Sequence, residues 1–359
     1  MRIVIARRDS LTHLDGVTTF TVNLAKGLIA LNNKVAHMSY GLLKPPEGYS
    51  NFPEYLSKVH GLNNVDILTI KGNISSHREP RVSLEWLLNG KGILRSWDAD
   101  ALIISGIVPV TFRPRVVVLH NVTKFGSRFE RSIYKMLYAS YDHTVCVSKS
   151  SRNEALEVGV SCNSVIYNPV DLSPYKVKPR QERDNLIVHI GTRREKNLHI
   201  SIEAIKLLRE EDYELKLAII GSGAYEAVKG IVGYVPNWVE PLNNISNEIK
   251  VDTLSRSLAL LLPSSHETFS YVAVEAMASG TPPIVSEAVP DETVINNYNG
   301  LRVNRLSPEA FALAIKALLR DTELWNRLSA NGIEYVKRFD YINVARQYEA
   351  LLRRLLKTL

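Results

Sequence analysis

The sequence predicts an α/β protein with two Rossmann-like domains, each built on a doubly wound parallel sheet. Three observations lead to this fold class. Apolar segments of strand length alternate with amphipathic helices, a polar segment with two prolines at 172–185 interrupts the pattern, and the alternation then restarts. Such alternation is typical of parallel sheets covered by helices. With 359 residues and 45% hydrophobic side chains, the chain can form two separate cores.

The first half begins with a strand at 2–6, and an amphipathic helix at 17–32 follows it. The remaining strands predicted in this half are 35–40, 65–70, 101–105, 116–120, 144–148 and 165–168. A helix is predicted at 125–141 because polar and apolar side chains alternate there with helical spacing.

The second half repeats the arrangement after the polar segment. Its predicted strands are 186–190, 215–220, 258–262 and 281–286, and its predicted helices are 197–210, 271–279, 307–320, 322–338 and 341–359. No internal repeat or low-complexity tract is found in the sequence.

The charge of the chain is concentrated in the first half. Residues 1–165 hold 20 basic and 13 acidic residues, a net charge of +7, whereas residues 166–359 hold 24 of each. A basic half suits an anionic partner, such as a membrane surface, a phosphorylated acceptor or nucleic acid. The alternative is an ordinary solubility charge.

Cellular location is predicted from what the sequence lacks. No stretch reaches the roughly 18 apolar residues of a membrane-spanning helix, and the N-terminus reads as a strand rather than a signal peptide. Cys146 and Cys162 form no disulfide framework, so we expect two reduced thiols. These features predict a cytoplasmic protein, with a place at the inner face of the membrane left open.

Two glutamates eight positions apart mark the predicted ligand site. Glu267 follows the strand 258–262, and Glu275 lies in the next helix, which Ser270 can cap and Gly280 can close. The carboxyl ends of parallel strands form the ligand-binding edge of such a sheet. The two glutamates are therefore candidates for ligand contacts, although two solvated glutamates at this spacing can also occur by chance.

The start of that helix adds a second kind of ligand group. The backbone amides of Phe269, Ser270 and Tyr271 stand at a helix N-terminus, which attracts phosphate. Carboxylates accept hydrogen bonds from hydroxyl groups. Phosphate together with hydroxyls indicates a sugar nucleotide.

The segment His266–Pro283 resembles the E-x7-E motif of retaining GT-B glycosyltransferases of the family 4 type, also called glycosyl transferases group 1. In that family the motif follows a strand that ends in Pro-Ser, and it carries glycines on both sides of a phenylalanine. Here Thr268 and Ser270 occupy those two positions. The resemblance covers most of the chain and is strongest over 186–303, where Asn299 and Gly300 also match a turn of the family.

The resemblance implies a GT-B architecture, with two Rossmann-like domains facing across a cleft. We expect an N-terminal acceptor domain at 1–168, a C-terminal donor domain at 169–340, and a final helix at 341–359 that crosses back to the first domain. By the same resemblance Glu275 holds the ribose hydroxyls of the donor. Glu267 and the backbone of Thr268, Phe269 and Ser270 hold its sugar and phosphate.

The loop 191–198 carries cations at the end of the first strand of the second half. Cations in such a place suit a diphosphate, which an arginine fork and a lysine can neutralise. The loop resembles a Gly-Arg…Lys loop of the family, and this favours Arg193 and Lys196 as the diphosphate ligands. Arg194 remains the alternative arginine, and a solvated basic turn remains the alternative to a site.

Two positions of the first half complete the predicted site. Gly16 opens the first helix, and a glycine there lets backbone amides approach a phosphate or a sugar. His120 ends the strand 116–120. The family carries a histidine at the matching strand end, which implies that His120 stabilises the donor sugar near its anomeric carbon. A lone histidine in that position can also be structural.

A basic stripe and an acidic pair need separate interpretations. Lys124, Arg128, Arg131 and Lys135 recur at helical spacing, and they could contact an anionic membrane or a lipid-linked acceptor, or simply be solvated. The pair Asp98 and Asp100 precedes its strand, so it belongs to the edge of the sheet away from the ligand. We expect no metal and no cofactor, with the sugar nucleotide acting as substrate.

The sequence therefore predicts a retaining hexosyltransferase that moves a sugar from a UDP- or GDP-sugar to a glycan, glycolipid or lipid-linked acceptor. The predicted catalytic residues are Glu267, His120, Arg193 and Lys196. Two alternatives stay open: a sugar-nucleotide epimerase of the same architecture, and a non-catalytic protein that binds glycan or nucleic acid. Nucleic acid is the less favoured partner, because no recognised nucleic-acid-binding motif occurs.

Overall fold

The computed structural model describes residues 1–8, 11–12, 15–41, 45–70, 79–121 and 128–358, without the side chains of 79–81, 128–131, 133 and 134. Two compact units make up the chain. Unit 1 comprises Met1–Val170 together with Phe339–Leu359, and unit 2 comprises Asp171–Arg338. The final helix therefore belongs to unit 1, although unit 2 separates it from the rest of that unit in sequence.

Unit 1 is built on a seven-stranded sheet in the order β3-β2-β1-β4-β5-β6-β7, and every described pairing is parallel. The strands are β1 (Arg2–Arg7), β2 (Lys34–Tyr40), β3 (Val65–Ile70), β4 (Ala101–Ser105), β5 (Arg115–Leu119), β6 (His143–Cys146) and β7 (Ser164–Val165). The helices are α1 (Gly16–Ala30), α2 (Phe52–His60), α3 (Glu79–Ser96), α4 (Arg128–Ala139), α5 (Lys149–Glu157) and the C-terminal α12 (Tyr341–Leu356).

Alternating residues along the strands of this sheet point into two apolar layers, one on each face. Ile3 and Ile5 point to the layer that holds α1, α2 and α12, whereas Val4 and Ala6 point to the layer that holds α3. This alternation is the period of two that a strand imposes on its side chains. Because both faces are covered by helices, the strands are apolar on both faces.

The contact of α12 with α1 depends on a glycine. A Cβ atom at Gly27 would stand 2.6 Å from the Cβ atom of Ala345, so the two helices approach more closely than a side chain would allow. Tyr348, Leu351 and Leu352 of α12 are buried in the same cluster as Phe20 of α1. The C-terminal helix is therefore part of the core of unit 1.

Unit 2 contains a six-stranded parallel sheet in the order β10-β9-β8-β11-β12-β13. The strands are β8 (Leu186–Ile190), β9 (Lys216–Ile220), β10 (Val239–Leu242), β11 (Ala259–Leu262), β12 (Pro283–Ser286) and β13 (Leu301–Val303). The helices are α6 (Leu198–Glu210), α7 (Ala224–Val232), α8 (Asn247–Arg256), α9 (Tyr271–Ala278), α10 (Pro308–Arg320) and α11 (Thr322–Val336).

The predicted fold class, two Rossmann-like parallel α/β domains, is confirmed. The predicted strands 65–70, 101–105 and 186–190 coincide with β3, β4 and β8. None of the described helices combines the length and the apolar character needed to cross a bilayer.

The expectation of two reduced cysteines is wrong for this structure. Cys146 and Cys162 are joined by a disulfide bond, with their Cα atoms 6.0 Å apart. Cys146 ends β6 and Cys162 precedes the neighbouring β7, so the pairing of these two strands brings the sulfur atoms together. Sixteen positions separate the two cysteines in sequence, and that separation alone does not reveal the strand pairing.

Candidate functional site

The turn between β11 and α9 carries Glu267 at the carboxyl edge of the second sheet, and Glu275 lies in the second turn of α9. α9 begins at Tyr271, and the Oγ of Ser270 accepts a hydrogen bond of 3.4 Å from the backbone amide of Ala273. Gly280, with φ at +68°, follows the last turn. The predicted N-cap and the predicted helix closure are therefore both present.

Glu267 contacts two side chains, one from the loop after β8 and one from its own turn. Its Oε1 contacts the Nζ of Lys196, and the Oγ of Ser264 donates to the same oxygen at 3.0 Å. The Lys196 side chain is 9% exposed and that of Glu267 is 14% exposed. The predicted diphosphate lysine and the predicted sugar-binding glutamate thus form one largely buried ion pair.

The path of the loop after β8 explains how Lys196 reaches Glu267. Gly191 adopts φ of +111°, and a Cβ atom there would stand 2.9 Å from the Cγ of Lys196. A glycine at this position therefore allows the lysine stem to cross over the backbone. The Nδ2 of Asn197 donates to the carbonyl of Pro263 at 2.8 Å, which ties this loop to the end of β11.

A second contact fixes the two loops to each other. The backbone amide of Ser265 donates to the carbonyl of Glu195 at 2.8 Å. The loops that carry Lys196 and Glu267 are therefore joined by both side-chain and backbone hydrogen bonds.

A buried histidine supports the base of the Lys196 loop. His189 of β8 is fully buried, and its ring nitrogens lie 2.8 Å from the Oγ of Ser201 and 2.8 Å from the carbonyl of Gly191. Burial lowers the pKa of His189 from 6.5 to about 4. The ring is therefore neutral near pH 7, and no charge is placed beneath the cationic loop.

The two candidate arginines are far more exposed than this ion pair. The side chain of Arg193 is 76% exposed, and its Nε lies 3.0 Å from Oε1 of Glu195. Arg194 is also exposed. The choice between them as the diphosphate ligand stays a prediction.

Glu275 has two partners that the sequence did not indicate. The Nζ of Lys250 in α8 lies 2.8 Å from Oε1 of Glu275, and these side chains are 22% and 11% exposed. The hydroxyl of Tyr175 lies near the same carboxylate. Burial and this neighbouring negative charge raise the pKa of Tyr175 well above 10, so the tyrosine stays protonated at neutral pH.

The residues between the two glutamates differ in burial. Phe269 is 4% exposed, and its ring packs edge-to-face against Tyr271 at a centroid distance of 5.2 Å. Thr268 is half-buried. The predicted role of Thr268, Phe269 and Ser270 in donor binding remains a prediction.

The C-terminal end of α9 is fixed by a buried arginine. The guanidinium of Arg183 donates to the carbonyls of Ser279 and Ser257 at 2.7 and 2.8 Å, and it lies 4.9 Å from the ring of Trp325. Burial lowers the pKa of Arg183 to about 10, so the charge that faces the helix C-terminus persists at neutral pH. Both ends of the helix that carries Glu275 are thus capped.

Unit 1 presents a separate polar cluster at the carboxyl edge of its own sheet. Arg7 ends β1, is 7% exposed, and its guanidinium donates to Thr18 at 2.6 Å and to Asp15 at 2.8 Å. Asp15 caps α1 by accepting from the Thr18 amide at 2.7 Å, and Gly16 is the first helical residue. Arg7 and Asp15 were not predicted as site residues, although an arginine that ends an apolar strand was a usable signal.

His120 follows β5 at this edge. Its Nε2 lies 2.8 Å from the Oγ of Ser105, and its ring packs edge-to-face against Phe20. Burial, helped by the positive charge of Arg7, lowers the pKa of His120 from 6.5 to about 3. The imidazole is therefore neutral near pH 7 and can serve as a hydrogen-bonding group.

The basic stripe is described only in part. Lys124 and the side chains of Arg128 and Arg131 lie outside the described residues, whereas Lys135 is exposed on α4. Asp100 accepts a hydrogen bond of 2.7 Å from the amide of Arg2, at the amino edge of the sheet. Among the residues that the structure describes, none form a cluster of three or more His, Cys, Asp or Glu able to hold a metal ion.

Two family models match the chain one after the other. The model described as Glycosyltransferase Family 4 matches residues 14–174, and the model described as Glycosyl transferases group 1 matches residues 175–335. The chain belongs to the family 4 type of GT-B glycosyltransferases, as its motifs predicted.

Curated relatives carry the same activity class in their names. The chain is 27% identical over 310 residues to an uncharacterized glycosyltransferase of Methanocaldococcus jannaschii. This match covers 78% of this chain and 86% of the relative. It is 29% identical over 249 residues to an O-antigen chain mannosyltransferase of Salmonella typhimurium, covering 65% and 67%. A GDP-mannose-dependent phosphatidylinositol dimannoside mannosyltransferase of Mycobacterium tuberculosis is 28% identical over 204 residues, covering 54% and 53%.

Solved structures show the likeness of fold. Sucrose-phosphate synthase from Thermosynechococcus elongatus matches with a TM-score of 0.75 and 17% identity, over the full length of both chains. HepE from Anabaena, solved in complex with UDP and glucose, matches with a TM-score of 0.74 and 18% identity over 99% of this chain and 100% of its own. At such identities the likeness concerns the GT-B fold alone.

Proposed function

We propose that this glycosyltransferase is a retaining hexosyltransferase that uses a nucleoside-diphosphate sugar as donor. The observation that supports the proposal most is the pair of charged contacts along the segment from the β11–α9 turn into α9. Lys196 pairs with Glu267 in the turn before α9, and Lys250 pairs with Glu275 in the second turn of α9, which gives two lysines and two carboxylates along this segment. A donor with a diphosphate, a ribose and a sugar needs both kinds of group.

In this proposal the members of the site have separate tasks. Glu275 accepts hydrogen bonds from the ribose hydroxyls through its Oε2, because its Oε1 faces Lys250. Lys196 and either Arg193 or Arg194 neutralise the charge that develops on the leaving diphosphate. No metal ion or cofactor takes part, and the sugar nucleotide is the substrate.

Glu267 binds the transferred sugar rather than attacking it. Its Oε1 already accepts contacts from Lys196 and Ser264, which lowers the nucleophilicity of that carboxylate and fixes its orientation. The acceptor hydroxyl would therefore attack from the face that the diphosphate leaves. A diphosphate oxygen would take the proton of that hydroxyl, and the anomeric configuration would be retained.

His120 would contact the donor sugar near the anomeric carbon as a neutral group. Its pKa of about 3 makes it a poor proton donor near pH 7, since the protonated form is then scarce. The backbone at Gly16, which opens α1, would accommodate the sugar or phosphate at close range.

The acceptor side is proposed from charge and from the relatives. Unit 1 is basic, and two relatives are named an O-antigen chain mannosyltransferase and a GDP-mannose-dependent phosphatidylinositol dimannoside mannosyltransferase. We propose a UDP- or GDP-sugar as donor and a glycan, glycolipid or lipid-linked acceptor, met at the cytoplasmic face of a membrane. The stripe of Lys124, Arg128, Arg131 and Lys135 would contribute to holding that anionic acceptor.

A thermal-shift panel of UDP-, GDP- and ADP-sugars tests the donor site. One nucleotide class should raise the melting temperature, and Glu275→Ala should abolish the rise, because the ribose contact is lost. The matched control is Glu248→Ala, an exposed glutamate in the first turn of α8. A rise in melting temperature with RNA but with none of the sugar nucleotides would contradict the proposal of an enzyme.

Product analysis separates transfer from isomerisation. Labelled sugar nucleotide that is incubated without any acceptor should remain intact, apart from slow hydrolysis. Once a membrane extract is added, the labelled sugar should be transferred to an acceptor in that extract. Release of an epimerised sugar in the absence of acceptor would favour the epimerase alternative instead.

A further inference from the structure

The outward face of α3 carries three exposed leucines within about one helical turn. Leu84 is 53% exposed, Leu87 is 44% exposed and Leu88 is 70% exposed. The opposite face of the helix is buried, since Val82, Trp86 and Leu94 are at most 3% exposed. The three leucines are therefore additional to the core, and solvent-exposed clusters of this kind mark interaction surfaces.

Two cations continue this face toward the end of the helix. At ~100° per residue, Lys91 and Arg95 fall on the same side as Leu84 and Leu88, one and two turns further on. Arg95 is exposed and Lys91 is half-buried. Glu85 lies at the border of the face, and its carboxylate accepts a hydrogen bond of 2.6 Å from the hydroxyl of Tyr40.

Helix α4 packs against the same apolar cluster as α3. Tyr138 of α4 packs on the core cluster that contains Trp86 of α3. Met136 of α4 is 72% exposed, and Lys135 beside it is also exposed. Apolar and cationic side chains therefore occur together on both helices.

The charge of the whole unit favours one kind of partner. Unit 1 holds 24 basic and 15 acidic residues, a net charge of +9, whereas unit 2 holds 20 and 22, a net charge of −2. A bilayer that contains anionic lipids attracts such a unit, and the attraction falls off within about 10 Å of the surface. A second copy of this unit would be repelled by the same charge.

We propose that the outward face of α3, with Leu84, Leu87, Leu88, Lys91 and Arg95, binds the surface of an anionic lipid bilayer. The leucines enter the boundary between head groups and acyl chains, as the apolar face of an interfacial helix does. Lys91 and Arg95 reach the lipid phosphates with their charged ends while their stems stay near the leucines. This proposal goes beyond sugar transfer, since binding needs neither donor nor acceptor.

Vesicle flotation of the full chain tests the proposal. The wild type should float with vesicles of phosphatidylcholine and phosphatidylglycerol, and much less with phosphatidylcholine alone. The triple variant Leu84→Gln/Leu87→Gln/Leu88→Gln should bind at least about tenfold more weakly to both. Lys91→Gln/Arg95→Gln should bind the anionic vesicles about thirtyfold more weakly, so that the preference for anionic lipid shrinks.

Two control variants match these changes in unit 2. Leu313→Gln replaces a leucine of α10 that is 66% exposed, and Lys206→Gln/Lys229→Gln removes two charges from exposed lysines. Both controls should float like the wild type. Circular dichroism and melting temperature of every variant show that the fold is intact.

Two outcomes would overturn the proposal. Flotation that is unchanged in the triple variant places the membrane contact elsewhere. A wild type that does not float, yet dimerises in light scattering and loses the dimer in the triple variant, shows that α3 contacts a second copy. Because flotation requires no transfer of sugar, its failure leaves the proposed sugar transfer from a nucleotide donor standing, and a failed donor panel leaves the proposed membrane surface standing.

Discussion

Replacing Lys196 with methionine tests the ion pair at the centre of the candidate site. Methionine keeps an apolar stem in place but removes the ammonium group that contacts Oε1 of Glu267. Little water can replace that group, because the two side chains are 9% and 14% exposed. Breaking a buried pair costs about 3–5 kcal/mol, and Ser264 still donates to the carboxylate, so we expect a loss of about 2–3 kcal/mol in the free energy of unfolding.

A double-mutant cycle separates the pair from other effects of the substitution. Lys196→Met, Glu267→Gln and the double variant are unfolded in urea beside the wild type, and tryptophan fluorescence follows the transition. Hydrogen exchange in peptides from α9 assigns the change to unit 2, since two units need not unfold together. The double variant should recover about 1–2 kcal/mol relative to the sum of the single variants.

An exposed pair of the same chemistry provides the control for this cycle. Lys337 contacts Glu334 with side chains that are 62% and 70% exposed, so Lys337→Met should change the free energy of unfolding by less than about 0.5 kcal/mol. If Lys196→Met lowers the free energy of unfolding as little as Lys337→Met does, or if the effects of the two single substitutions in the cycle simply add, burial does not strengthen the Lys196–Glu267 pair. Under the proposed mechanism Lys196→Met also lowers kcat by about 10²–10³-fold, and a rise in KM with unchanged kcat would contradict a role in the transition state.

Three further outcomes follow from contacts around this site. Lys250→Met should weaken nucleotide binding by about tenfold in calorimetry, because Glu275 loses the cation that orients it, and unchanged affinity would argue against that orientation. Gly191→Ala should lower the free energy of unfolding by about 1–3 kcal/mol in urea, since φ of +111° and the Lys196 stem both oppose a Cβ atom, and a stable variant would show that the loop can relax. The pKa of His189 is lowered to about 4, so below pH 6.5 the unfolded chain binds a proton that the folded chain does not. Stability from this group is complete above about pH 6.5 and falls by about 2 kcal/mol between about pH 7 and pH 5. Between about pH 7 and pH 5, the melting temperature should fall more steeply for the wild type than for His189→Gln. A shallower fall for the wild type would show that burial of His189 does not lower its pKa.

The turn around the two glutamates was the most predictable part of the fold. The predicted strand 258–262 and helix 271–279 each differ from β11 and α9 by one residue. An apolar strand, a proline, a serine N-cap and a closing glycine follow one another there, so each local signal supports the next.

The helix α3 was missed for a physical reason. Its buried face carries Val82, Trp86 and Leu94, but its outward face carries leucines as well. Apolar side chains on both faces weaken the period of 3.6 by which an amphipathic helix is identified. The feature that hid this helix in the sequence is the same one that makes its surface unusual in the structure.

The partners of the site residues were harder to predict than the residues themselves. Lys250 and Tyr175 lie 25 and 100 positions before Glu275 in the sequence, and nothing in their local patterns distinguishes them from ordinary surface residues. Only the packing of α8 and of the segment after Asp171 brings them to α9. Arg7 was more accessible to prediction, because an arginine that ends an apolar strand must find a partner when the strand is buried.

The position of α12 has a consequence for how the chain folds during synthesis. Residues 1–170 leave the ribosome first, but Tyr348, Leu351 and Leu352, which belong to the core of unit 1, are synthesised only after the whole of unit 2. Until then the surface of α1 around Gly27 and Phe20 has no covering helix. Unit 2, which is continuous in sequence, can therefore be complete first, and the unit that is begun first is finished last.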